Sequence, residues 1–259
     1  MAYASAYIVR IEYAIRMATD DPGLSAGVAR LWQTTEARPT REALSAARIV
    51  SAAVELADAE GLDAVSMARV AERLGAGTMS LYRHVAGKDE LLILMHDSVW
   101  RQQEDPAEPD LAAGWRPALE EWCRRQHQTY ARHPWLERVR FVERAGTPSQ
   151  LVAVERGLVI LAGTPLSETD KVAALMLLNG YLLWTARYDE EVRTAAAALN
   201  VPVADVAGQF GELMRALTAG DEFPALARAV AGGAFTPGSI GDFEWGLALI
   251  LDGLERRLP

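Results

Sequence analysis

The apolar positions of this chain fall on the three-and-four spacing of an α-helix, and no stretch alternates as a strand would. The tightest pattern runs from Ser66 to Lys88. Met67, Val70, Ala71 and Leu74 stand at i, i+3, i+4 and i+7, one apolar face of a short helix, with Ser66 before it as an N-terminal cap. Gly75 ends that helix, since glycine enters the left-handed conformation at no side-chain cost. A second short helix over about Thr78–Val85 buries Leu81 and Val85. Two short helices joined by a tight glycine turn make a helix-turn-helix, and small Ala71 sits where such helices cross closely.

The flanking pattern predicts more helix. Ile49, Ala52, Ala53, Leu56 and Ala57 share a face over about Ser45–Glu60, closed by Gly61, and Leu62 and Val65 bridge onward as core. From Lys88 to about Gln103, Leu91, Leu92, Met95 and Val99 turn inward, with Asp89 and Glu90 in the first turn, where the helix dipole favours them. The polar stretch Glu104–Asp110, twice broken by proline, reads as a domain boundary. Beyond it come helices at Trp115–Arg132, Trp135–Val139, Ser149–Leu161, a long one capped by Ser167 and reaching about Thr194, then Val203–Leu217, Pro224–Val230 and Phe243–Leu258. The fold class is therefore all-α: a three-helix, helix-turn-helix domain with its connecting helix over residues 41–103, then a helical domain over 104–259. Residues 1–40 form an extension of open character. Tyr7, Ile8, Ile11, Ile15 and Ala18 suit one face of a helix, Leu31 and Trp32 suit docking on the body, and a loosely held tail fits equally. Arg38 and Arg41 suit either a minor-groove arm or a solvated linker.

Charge bears on what such a motif can touch. The net charge of −9 speaks against DNA, whose phosphates call for Lys and Arg. Residues 66–88, however, hold four cations (Arg69, Arg73, Arg83, Lys88) against one anion (Glu72), so +3. Residues 104–259 hold 15 cations and 22 anions, so −7. A small basic head on an acidic body is compatible with DNA binding of modest non-specific affinity. No apolar run approaches the roughly 20 residues of a membrane span, Arg10, Glu12, Arg16 and Asp20 interrupt any signal-peptide core, and the one cysteine, Cys123, fits a reducing compartment. A soluble, cytoplasmic protein is expected, with no membrane partner.

No catalytic constellation stands out. His84, His96, His127 and His133 lack metal-ligand spacing, Cys123 has no adjacent base, and no glycine-rich phosphate loop follows a strand. The expectation is a non-enzyme without cofactor or metal.

The segment Leu44–Leu92 resembles the N-terminal DNA-binding domain of the TetR family of bacterial transcriptional regulators, most specifically in LYRHV (Leu81–Val85) followed by GKDELL (Gly87–Leu92). The remainder is similar to the tetracycline-repressor-like C-terminal regulatory domains in Trp115, HPWL (His133–Leu136) and FEWGLALILDGLERRL (Phe243–Leu258). Together the resemblance covers about residues 41–259. It implies a homodimeric repressor that binds a palindromic double-stranded DNA operator and leaves it when a small, largely apolar effector enters the body.

Within the second helix of the motif, Thr78, Met79 and Ser80 occupy the exposed first turn, the end that meets base edges. Ser and Thr can bond those edges, and Met79 suits a thymine methyl. The resemblance adds Tyr82, His84 and Lys88 as phosphate contacts and Ser66 and Met67 as contacts from the preceding helix. His84 packing at the helix end, and Arg69 and Arg73 as solvated cations, are the plainer readings, with Arg83 a further cation beside the contact face. Gly77 stands where family members carry Ser or Thr, which leaves one N–H less well capped. In the body, the family pattern implies a ligand cavity among the helices from Trp115 to about Thr194, with Trp100, His127, Tyr130, Trp135, Phe141, Asn179, Tyr181 and Trp184 as candidate lining; ordinary core is the alternative for each. It also implies a dimer built by the long helix and the closing helix, for which Leu175, Leu182, Leu247, Ile250, Leu251 and Leu254 are the candidates. No histidine lies in Val139–Glu143, where tetracycline repressors hold the drug's magnesium, so a tetracycline–magnesium ligand is not expected. The rival readings are a family member without a small-molecule ligand, controlled by a protein or acting as an activator, and an all-helical enzyme or binding protein.

Overall fold

Serine and glycine set many of the helix ends, as their backbone chemistry requires. The computed structural model describes residues 26–33, 44–102, 109–139, 146–236 and 242–258, and every regular element among them is helical. The expected Tyr7–Ala18 helix, Arg38, Arg41 and Phe141 lie outside the described residues. Contacts divide the chain into two compact units: Met1–Gly114 with Arg132–Ala162, and Trp115–Ala131 with Gly163–Pro259. This cuts the chain differently from the 103/104 boundary drawn from sequence, because Pro134–Arg138 and Pro148–Leu161 pack on the N-terminal helices.

In the first unit, α1 (Ala26–Gln33) packs on α5 (Lys88–Gln102) and buries Val28, Leu31 and Trp32. The Trp32 indole N–H donates to the Gly146 carbonyl at 2.9 Å. Leu31 and Trp32 thus dock, as their apolar character suggests, on this unit. The hydroxyl of Ser45 accepts the Arg48 N–H and opens α2 (Ala46–Glu60), which buries Ile49, Ala52, Ala53, Leu56 and Ala57. Gly61, at φ +83°, ends it. After a 3-10 turn at Leu62–Ala64, Ser66 caps α3 (Met67–Arg73) by accepting the Arg69 N–H at 3.2 Å. Gly75, at φ +62°, turns the chain into α4 (Thr78–Leu81). That helix is shorter than its apolar spacing predicts. The His84 and Val85 N–H groups both reach the Leu81 carbonyl, so the last turn tightens, while Leu81 and Val85 remain fully buried. Helix α5 is apolar on more sides than the sequence pattern shows: Ile93 and Leu94 are buried, Leu92 only partly. The reason is that α1, α2 and α7 (Pro148–Leu161) all pack on it.

The second unit is built on α6 (Trp115–Arg132), α8 (Glu168–Leu199), α9 (Val203–Leu217), α10 (Pro224–Ala231) and α11 (Phe243–Glu255). Helix α8 runs five residues past Thr194 until Asn200, left-handed at φ 52°, closes it. Leu119, Cys123 and Tyr130 of α6, Leu175, Leu178 and Leu182 of α8, and Leu247 and Leu251 of α11 form its core. Arg116 ties α6 to Asp252 and Glu255 of α11, and Arg124 grips both carboxylate oxygens of Glu244 at 2.9 Å.

Helices α8 and α11 meet where Gly246 lies under Tyr181. A Cβ at Gly246 would come within 2.6 Å of the Tyr181 ring carbon Cζ, and the Tyr181 hydroxyl is held by the Asp242 and Phe243 carbonyls at 3.1 Å each. Gly246→Ala is therefore expected to destabilise the fold by about 1–3 kcal/mol in urea titration. In a Tyr181→Ala background the same change should cost little, since the ring it collides with is gone.

Candidate nucleic-acid interface and effector residues

Helix α4 is anchored from below by Leu81 and presents its first turn to solvent. Met79 is 77% exposed, Thr78 and Ser80 are half-buried, and Tyr82, Arg83 and Lys88 are exposed. His84 is half-buried in the turn after α4. No side chain caps α4, as the glycine at position 77 foretells. Two of the expected residues stand differently. The Met67 side chain is buried in the three-helix core, because the apolar face of α3 points at α2. The Ser66 hydroxyl is engaged as a helix cap. Arg69 and Arg73 are not plain solvated cations either. Arg69 grips Glu60 at 2.8 and 2.9 Å, and Arg73 reaches Glu55 at 3.1 Å, so α2 carboxylates offset part of the local positive charge.

Beside this head lies a clasp that sequence reading missed. The Asp58 carboxylate on α2 accepts from both the His133 ring Nδ1 and the Trp135 indole, each at 2.7 Å. Arg138 holds both oxygens of Asp63 at 2.9 and 3.1 Å. Trp135, a candidate for the effector cavity, is thereby a buried part of the first unit joined to α2, with its polar N–H already satisfied. Asp97 of α5 is also fully buried; it accepts the Ser149 N–H at the start of α7 at 3.0 Å and pairs with Arg101 at 3.4 Å. Asp58, Asp63 and Asp97 sit at ordinary helix and loop positions, and nothing in the local pattern marks them.

The other effector candidates fall in both units. Trp100, in α5, donates its indole N–H to His96 at 3.0 Å. In the second unit, the His127 ring stacks on Phe243 (centroids 4.1 Å apart, planes 9° off parallel) and lies 3.5 Å from the Asp189 carboxylate. Phe243 lies nearly parallel to Tyr181 (5.9 Å, 10°), Tyr181 to Trp184 (6.3 Å, 22°), and Trp184 to Tyr188 (5.7 Å, 15°). Tyr130 is buried, Asn179 half-buried, and Trp184 is 51% exposed. Burial pushes the Cys123 thiol up to about 12, which leaves it protonated and unreactive at neutral pH.

The dimer candidates need correction. Leu175, Leu182, Leu247, Leu251 and Leu254 are buried inside the protomer, and Ile250 is half-buried. Helices α8 and α11 are apolar on two sides, and the side chosen from periodicity is the one they turn on their own core. Their outer sides carry Met176, Leu177 and Trp184 on α8, and Trp245 (67% exposed) and Leu249 on α11.

Two carboxylates here make stability depend on pH. The Arg124 guanidinium holds Glu244 below its usual range, and Arg138 does the same to Asp63. A folded-state value below the unfolded one means that these pairs contribute fully above the ordinary carboxylate range and are lost as pH falls through it. Between roughly pH 5 and 3, Glu244→Gln should lose less stability than the wild type when denaturation midpoints are compared.

Residues 49–95 match the family described as bacterial regulatory proteins, tetR family, and residues 108–258 match the tetracyclin repressor-like, C-terminal domain. The HTH-type transcriptional repressor DrrR1 of Streptomyces coeruleorubidus is 39% identical over 229 residues, covering 87% of this chain and 83% of that protein. The class A tetracycline repressor from transposon 1721 of Escherichia coli is 27% identical over 209 residues, covering 81% and 89%. Among solved structures, the TetR family protein ActR of Streptomyces coelicolor in complex with actinorhodin superposes with a TM-score of 0.70 at 30% identity, covering 83% of this chain and 97% of ActR.

Proposed function

The chain belongs to the tetR family of bacterial regulatory proteins, and from that membership we propose how its own residues carry the work. It is a ligand-responsive, DNA-binding transcriptional repressor. The observation that supports the docking is the open first turn of α4, fixed from beneath by Leu81 and Val85. Thr78, Met79 and Ser80 read base edges in the major groove, while Tyr82, His84 and Lys88 hold phosphates and set the register. A cytoplasmic location follows from work on the chromosome; no helix among the described residues is long and apolar enough to cross a membrane. A regulator, not an enzyme, is the reading that the named relatives support.

Two copies pair through the outer faces of α8 and α11, with Met176, Leu177, Trp184, Trp245 and Leu249 meeting their counterparts as a four-helix bundle. Dimerisation sets two α4 helices about one DNA turn apart and so demands an inverted repeat. The effector enters the second unit. Within the first unit, the segment that follows α6 is clasped to α2 and its neighbouring turn through Asp58 and Asp63. Effector binding favours a dimer whose heads are wrongly spaced, and operator affinity falls by that coupling.

Selection of bound duplexes from a random pool, at stated salt, tests this reading. Recovery of an inverted repeat, with release on adding actinorhodin as the first probe, is the expected result. An unstructured pool bound only weakly and in proportion to low salt would refute it.

A further inference from the structure

The first helix of the reading head keeps its cations tied to the helix behind it. Helix α3 buries Met67, Val70 and Ala71 and leaves Ala68, Arg69, Glu72 and Arg73 outside. In a helix-turn-helix the first helix crosses the DNA backbone, so outward cations one turn apart are well placed to hold phosphates. Both are instead held by carboxylates of α2. The Arg69 guanidinium donates to the two oxygens of Glu60 at 2.9 and 2.8 Å, and Arg73 donates to Glu55 at 3.1 Å. Counting these two carboxylates, the four cations of the head stand against three anions, and its +3 falls to +1.

Stability of the fold is a weak reason for this pairing. All four side chains are roughly half exposed, and an ion pair in that setting contributes little. Its effect on DNA binding is larger. Each arginine that meets a phosphate releases condensed counterions and adds affinity for any sequence. An arginine that stays on its carboxylate makes no such contact, and one that leaves strands an anion beside the phosphates. Either course weakens binding to every duplex alike. We propose that Glu55 and Glu60 are a brake on sequence-independent DNA affinity: they withhold Arg69 and Arg73 from the phosphates and leave binding to the contacts of α4. The coupling that frees a regulator from its operator is worth only about 5–150-fold. A head with two further phosphate contacts in each copy would stay on DNA with its effector bound. This rests on the docking of the head proposed above and adds the residues that set its strength.

The test uses the full-length protein and a labelled duplex of random sequence, with affinity read by fluorescence anisotropy over a series of salt concentrations. Glu55→Gln combined with Glu60→Gln frees two arginines in each head. The slope of log K against log salt should steepen by about 2–4 for a dimer, and affinity near physiological salt should rise about ten-fold or more. Glu72→Gln is the control: it removes one charge from the same head, but no arginine is tied to Glu72 among the described residues. It should steepen the slope clearly less than Glu60→Gln alone. Adding Arg69→Ala and Arg73→Ala to the double variant should return the slope to the wild-type value. Melting temperatures close to that of the wild type would show that each variant keeps the fold. An unchanged slope in the double variant would overturn the proposal, and the pairs would then be structural alone. A steepening that Glu72→Gln matches would overturn it too, since net charge would then suffice. A double variant that steepens while Lys88→Ala leaves the wild-type slope unchanged would uphold the brake and refute the proposed Lys88 contact instead.

Discussion

Replacing Trp245 by lysine should leave the protein monomeric and remove most of its operator affinity. Trp245 is two-thirds exposed on the outer face of α11, beside Leu249 and with Met176, Leu177 and Trp184 open on α8. Burying a large apolar side chain contributes about 1.5–3 kcal/mol, and a two-fold interface counts each change twice. The lysines add two charges that have no partner once the faces close. A single head then binds without its tethered copy, which lowers operator affinity by roughly 10²–10⁴-fold. Because the side chain is exposed in the protomer, the fold should be spared, and the circular dichroism spectrum should not change. Sedimentation velocity and fluorescence anisotropy on an operator duplex read the two effects. A Trp245→Lys protein that stays dimeric with wild-type affinity would place the interface elsewhere.

The second large effect is expected at the phosphate contacts. Lys88→Ala removes one cation from each head, hence two from a dimer, so log K should fall less steeply with log salt, the slope shrinking by about 2. The combined Tyr82→Ala and Lys88→Ala protein should bind every duplex more weakly by about 10²-fold or more near physiological salt, while keeping its preference among sequences. Thr78 and Ser80 substitutions should do the opposite, altering preference at single base pairs by roughly 1–3 kcal/mol. Arg73→Ala supplies the contrast. Its guanidinium already pairs with Glu55, so its loss should change the salt slope far less than that of Lys88. Equal slopes for the Lys88 and Arg73 variants would mean that Lys88 stands off the DNA.

Local chemistry made the head readable. The capping serine at 66, the glycines at 61 and 75 that end their helices and the buried faces of α2 and α3 all follow from spacing and backbone preference, and each stands where the pattern puts it. Met67 stands at the start of α3, and its side chain is buried on the apolar face to which its spacing assigned it. The body was legible in its helices and poorly legible in their use. Trp135 resembles a pocket aromatic until Asp58, 77 residues away in sequence, takes its indole N–H.

The sequence by itself determined that the chain is helical, where most helices start and stop, and that a helix-turn-helix lies at residues 66–85. Those are properties of short windows, where side-chain size, hydrogen bonding to the nearest N–H, and φ preference decide the outcome. Only the tertiary structure decided which side of α8 and α11 is core and which is left exposed, because a helix apolar on both sides has no local signal to break the tie. It also decided which carboxylates clasp the head. Such facts depend on what arrives from distant parts of the chain, as when Asp58 meets His133 and Trp135.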